Sequence, residues 1–155
     1  MDELTHLDEH GNARMVDVGS KNSTDREAVA EAIVVLSEST RIVLFEGTLP
    51  KGDAVAVARV AAIQAAKRTA DLIPLCHPLA LSAVQVDIEQ IEVGARVVVT
   101  VRTTGRTGVE MEAVTGASVG ALALYDMIKG LERGAMIGPI RLLFKSGGAS
   151  GRWER

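Results

Sequence analysis

The sequence predicts an α+β fold, an antiparallel sheet with helices packed on one face. Three observations carry that expectation. Apolar and polar residues alternate over 81–91 and again over 96–104, with a Gly-containing turn between them, which reads as a β-hairpin. Residues 108–133 are dense in Ala, Val and Leu and carry a helical period. The elements around these run helix, strand, helix, hairpin, helix, strand, with no repeat and no linker between two cores, which suits one sheet covered by helices.

Composition narrows the class. A chain of 155 residues fits one domain. We place it at 15–146, after a flexible arm at 1–14 and before a mobile Gly-rich tail at 147–155. The chain is 47% apolar but only 3% aromatic, so its core is aliphatic and built from small residues. A mean hydropathy of +0.20 is high for one small core, and points to apolar surface buried between subunits. The net charge of -3 argues against a nucleic-acid binder. Cys76 is the single cysteine, which fits a reducing compartment. No stretch reads as a signal peptide or a membrane span, so the expected location is the cytoplasm.

In order, the arm carries His6 and His10, four apart, but no third ligand, and two solvated histidines are expected. Residues 15–18 are a short apolar patch that can dock the arm as a strand. Thr24 and Glu27 have capping-box spacing, so residues 24–37 read as a helix buried through Val29, Ile33 and Leu36. Arg26 lies in its first turn, where the helix dipole disfavours a cation without an anionic partner. Residues 42–45 read as a short strand. Asp53 caps the next helix, to about residue 70, whose alanines on nearly every side imply crowding by neighbours. Residues 137–144 read as the last strand, with Pro139 at its start or on an edge.

The chemistry-bearing groups cluster in three places. One stripe of the central helix is Glu112, Thr115, Val119, Leu122, Asp126, Lys129 and Arg133; the opposite stripe, from Val114 through Leu124 to Leu131, is wholly apolar. Asp126 and Lys129 are neighbours at i, i+3. A solvated ion pair at that spacing contributes little, but Val119 and Leu122 make this stripe too apolar to face plain water, which points to a pocket. The run LIPLCHPL holds Cys76 and His77 between Pro74 and Pro78, a stiff loop that displays a thiol and an imidazole. Nothing else completes a zinc set, so no metal site is expected. Lys51 precedes a helix N-terminus, where free amides also attract anions. Neither 116–120 nor the tail has the order of a dinucleotide fingerprint or a P-loop.

Five strings then resemble one family: MVDVGSKNSTDREAVA, LPKGD, AAKRTADLIPLCHPLALS, GVEMEAVTGASVGALALYDMIKG and LLFKSGGASG. They are similar to the molybdenum cofactor biosynthesis protein C family, the cyclic pyranopterin monophosphate synthases. The resemblance covers almost the whole chain, from about residue 15 to 151. It implies a ferredoxin-like α+β fold and a homo-hexamer, a trimer of dimers, with pockets at subunit interfaces. It implies a lyase that converts a cyclic dihydroguanosine triphosphate to cyclic pyranopterin monophosphate and diphosphate. Residue by residue, it implies that Leu75, Cys76, His77, Met111 and Glu112 contact substrate. It makes Asp126 the principal catalytic residue, with Lys129 beside it, and adds Lys51, Lys145, Glu110 and, less directly, Arg26 to the pocket. No metal or cofactor held by the protein is expected, with Mg²⁺ admitted only as a companion of the triphosphate.

Spacing adds a constraint. Glu112 and Asp126 are 14 positions apart, about 21 Å along a continuous helix at ~1.5 Å per residue. Either the helix starts late and Glu112 folds back, or the pocket combines chains. Ring opening and closure need an acid and a base held together. Asp126 and Lys129 can supply them, with the lysine tuned toward neutral. Lys51 and Lys145 are the candidates for a departing diphosphate, with His77 as donor or acid. Glu110 or Glu112 can accept from the guanidine-like edge of the base. The rivals are a non-catalytic oligomeric nucleotide-binding scaffold, in which Asp126 and Lys129 are a plain ion pair, and a ligand-sensing module. Diphosphate release separates both from the enzyme.

Overall fold

A computed structural model describes residues 6–155; residues 1–5 of the expected arm lie outside it. The described chain runs β1 (Thr24–Val35), α1 (Glu38–Phe45), α2 (Ala54–Lys67), α3 (Thr69–Leu72), β2 (Ala83–Ile91), β3 (Gly94–Gly105), α4 (Glu110–Ile128), β4 (Met136–Ser146) and β5 (Trp153–Glu154). The sheet order is β2-β3-β1-β4-β5, and every neighbouring pair is antiparallel. Strand–helix–hairpin–helix–strand with β1 between β3 and β4 is the ferredoxin-like arrangement.

α2 and α4 cover one face. Ala28, Ala30, Ala32 and Val34 of β1 and Val97, Val99 and Val101 of β3 are fully buried beneath Ala58 and Ala62 of α2 and Ala117, Ala121, Leu124 and Ile128 of α4. Small residues let these layers approach. A Cβ at Gly120 would lie 3.0 Å from Val97 Cγ1 and 3.1 Å from Ala62 Cβ. α4 is thus wedged against both sheet and α2, and the side chains at its two ends are held on one rigid rod.

Three sequence expectations fail here. Residues 24–37 form β1, not a helix: burial alternates with period two, and Glu27 pairs across the sheet with Arg102 rather than closing a capping box. Alanine and glutamate favour a helix, but a central strand flanked by β3 and β4 on both sides overrides that preference. Residues 42–45 end a helix, α1, not a strand. Its cap is Ser37, whose Oγ accepts from Thr40 N at 3.4 Å, and a distant residue completes the end: the Glu132 carboxylate accepts from Ser37 N and Oγ, at 3.1 and 2.8 Å. The tail expected to be mobile folds back as β5, pairing Trp153 with Lys145 and Glu154 with Phe144.

Other boundaries are nearer. Asp53 caps α2 as expected, its Oδ1 accepting from Ala56 N at 2.9 Å, but α2 stops at Lys67 and the short α3 follows. The central helix stops at Ile128, so Leu131, read as part of its apolar stripe, lies beyond it and is exposed. Pro139 sits at a register shift of β4, on the side that β5 does not reach.

Candidate functional site

Two cavities flank opposite ends of α4. The first, of about 540 Å³, lies where the proline loop meets the start of α4. Cys76 N donates to Ile73 O at 3.1 Å, a tight turn that presents Leu75, Cys76 and His77 to the space opposite Glu110, Met111 and Glu112. Chain 16–21 closes one side through Val16, Val18 and Lys21. His77 Nε2 lies 2.6 Å from Val16 O. A carbonyl only accepts, so Nε2 carries a proton and donates it to this bond.

The two glutamates of α4's first turn have different characters. Glu110 is ion-paired with Lys145 at 2.6 Å. Glu112 is 4% exposed, and its carboxyl is pushed up to about 7 by burial, with the charge of Glu110 adding to the shift. Near neutral pH it is partly protonated and can donate a hydrogen bond as well as accept one. The Cys76 thiol is raised too, by burial first and by Glu112 second, so it is no ready nucleophile.

A stability prediction follows for Glu112. A raised carboxyl favours folding less and less as pH climbs from the ordinary 4.5 to about 7, because only the unfolded chain releases the proton over that interval. Glu112→Gln avoids this loss. Its melting temperature relative to the parent should therefore be higher at pH 8 than at pH 4.5. An equal difference at both pH values, by calorimetry, would refute the assignment.

The second cavity, of about 510 Å³, is lined by Leu49, Pro50, Lys51, Asp126, Met127, Lys129, Gly130, Leu131 and Arg133. Asp126 is held from both sides: Lys51 Nζ donates to Oδ2 at 2.5 Å and to the Asp126 carbonyl at 3.0 Å, and Lys129 Nζ lies 2.7 Å from Oδ1. Hydrogen bonds from Lys129 and then Lys51 pull Asp126 down to about 2. Asp126 in turn raises Lys129. The expectation that Lys129 is tuned toward neutral is therefore wrong for the free chain. All three side chains are about half exposed.

One chain does not bring the two sets together. α4 is continuous from Glu110 to Ile128, so Glu112 and Asp126 stay about 21 Å apart. The late-start alternative is removed. Arg133, read on the same stripe as Asp126 and Lys129, does line their cavity; sequence reasoning missed Lys21 as a cavity residue, and missed Glu132, which ties the turn after Lys129 to α1. Lys21 carried a weak signal, as the one cation following the Val16 and Val18 patch; Glu132 carried none. Among the described residues no group of three His, Cys, Asp or Glu is arranged to hold a metal, and no helix is long and apolar enough to cross a membrane.

Comparison with known proteins matches this sequence to one family. A model described as the MoaC family matches residues 15–148. A protein of Mycobacterium tuberculosis (strain ATCC 25618 / H37Rv) named cyclic pyranopterin monophosphate synthase 2 is 55% identical over 153 residues, covering 99% of this chain and 92% of the relative. A cyclic pyranopterin monophosphate synthase of Brucella abortus (strain 2308) is 55% identical over 153 residues, covering 97% and 93%.

Proposed function

Because the chain belongs to the MoaC family, we propose that it is a cyclic pyranopterin monophosphate synthase of molybdenum cofactor biosynthesis, a lyase. It converts (8S)-3',8-cyclo-7,8-dihydroguanosine 5'-triphosphate to cyclic pyranopterin monophosphate and diphosphate. The observation that carries this reading is the 55% identity to synthases of that name along nearly the whole chain.

The two clusters divide the work. Lys129 is the acid of the ring chemistry, and Asp126 fixes its direction and its charge. When a substrate phosphate draws Lys51 away, Asp126 loses one of the cations that hold it low and becomes a better base. In the closing step a sugar hydroxyl passes its proton to Asp126 as its oxygen attacks the α-phosphorus, the bond to the bridging oxygen breaks, and diphosphate leaves with that oxygen. Lys51 and Lys145 neutralise the departing charge. Leu75, Cys76, His77, Met111 and Glu112 hold the base. The protein holds no metal of its own; Mg²⁺ enters with the triphosphate.

These roles require both clusters at one substrate, so the functional unit is an assembly of copies, a homo-hexamer built as a trimer of dimers. What supports it is the length of α4 between the clusters and the apolar exposure of Val60 on α2 (59%) and Leu122 on α4 (56%). The working compartment is the cytoplasm, with neither nucleic acid nor membrane as partner. The test is incubation of the purified protein with the cyclic triphosphate. Diphosphate and the cyclic monophosphate should appear together in equal amounts. Binding with no diphosphate would leave the scaffold reading in its place.

A further inference from the structure

The first cavity has a charge inventory that the synthase reading does not account for. Among the described residues its lining carries two glutamates and one lysine or arginine, Lys21. Glu110 is already neutralised by Lys145, and Glu112 is driven toward its neutral form by burial. Lys51 and Lys129 of the second cavity and Lys145, the partner of Glu110, are each engaged in an ion pair, and among the described residues Lys21 enters none. Lys21 is thus the unpaired cation at the mouth; the carboxylate on the same strip, Asp17, is exposed and its Oδ1 accepts from Gly19 N at 2.8 Å.

That strip is built as a strap. Residues 15–21 belong to no helix or strand. Val16 and Val18 are half-buried and turn into the cavity. A turn closed by Lys21 N donating to Val18 O at 3.1 Å places Lys21 at the strap's far end. The near end is held to the proline loop by the hydrogen bond between His77 Nε2 and Val16 O. One hydrogen bond and two valines are a weak tether, and segments held this way open at little cost.

We propose that residues 15–21 form a strap that closes over the Cys76–His77 cavity when a phosphorylated nucleotide enters, and that Lys21 fastens it by pairing with an anionic phosphate oxygen. Lys21 is then a binding residue: its charge adds to ground-state and transition-state affinity alike, and chemistry stays with Asp126 and Lys129. Closure also shields the base from water on the side that the proline loop leaves open. The inference rests on the synthase reading for the identity of the nucleotide, but not for the anion.

The test uses the full-length assembled protein and the variants Lys21→Gln and Lys21→Arg. With the cyclic triphosphate, Lys21→Gln should raise KM by about tenfold and leave kcat within roughly twofold, while Lys21→Arg should restore most of the affinity. Inorganic diphosphate should slow amide hydrogen exchange of residues 15–21 several-fold in the parent and not in Lys21→Gln. An unchanged KM in Lys21→Gln, a fall in kcat alone, or no slowing of strap exchange in the parent would overturn the proposal. If the parent releases no diphosphate from the triphosphate, the synthase reading fails, and the exchange measurement still decides the strap on its own.

Discussion

Asp126→Asn is expected to lower kcat by on the order of 10³-fold, with the assembly eluting at unchanged size. Asparagine preserves the shape of the side chain and loses its charge. Lys51 and Lys129 both point at that charge, at 2.5 and 2.7 Å, and without it two ammonium groups face each other across the cavity. Their repulsion misplaces the acid and also lowers its proton affinity, because Asp126 is the largest contribution that raises Lys129. The side chain is about half exposed and belongs to no part of the apolar core, so the fold has little reason to respond. Retained turnover in this variant would remove Asp126 from the chemistry.

The second large effect concerns stability and arises on the sheet face away from the helices. Glu31 is 3% exposed there, with Arg96 Nε at 2.5 Å and Arg141 Nη2 at 2.7 Å. Its burial raises its pKa, yet the two guanidinium groups outweigh that and hold it below the ordinary carboxylate range. A lowered carboxylate stabilises the fold above about pH 4.5, and that contribution is lost as pH falls through its folded value. Replacing both partners, Arg96→Met with Arg141→Met, strands a buried charge and should cost about 3–5 kcal/mol in denaturant unfolding at pH 7. Adding Glu31→Leu to the pair should recover most of it, since an apolar cluster needs no partner. A double variant as stable as the parent would mean that water already satisfies Glu31.

How much of this was legible in the sequence depends on where the determining contacts lie. The hairpin of β2 and β3 was plain, because alternation and a Gly turn are local. The Asp53 cap was plain for the same reason. β1 was misread because its residues are good helix formers, and only β3 and β4, distant in sequence, make it a strand. α1 was misread because its cap is completed by Glu132, 95 positions away from Ser37. The candidate site divides likewise. Asp126 beside Lys129 is a helix spacing and could be read. That Lys51 reaches the same carboxylate follows from the α1–α2 connection folding under the end of α4, and only the motif strings pointed to it. Lys21 escaped because its part is set by the proline loop, some fifty residues on.

The central claim is that Asp126 of one copy and Glu112 of another serve one substrate, and mixing subunits tests it most directly. Asp126→Asn and Glu112→Gln assemblies, each of low activity alone, are unfolded together and refolded as hybrids. If each site draws the two residues from different copies, a hybrid interface restores one intact site, and activity should recover to about a quarter of the parent's under random pairing. Hybrids no more active than the separate variants, with mixed assembly verified by mass, would place both residues in one chain's site and contradict the account.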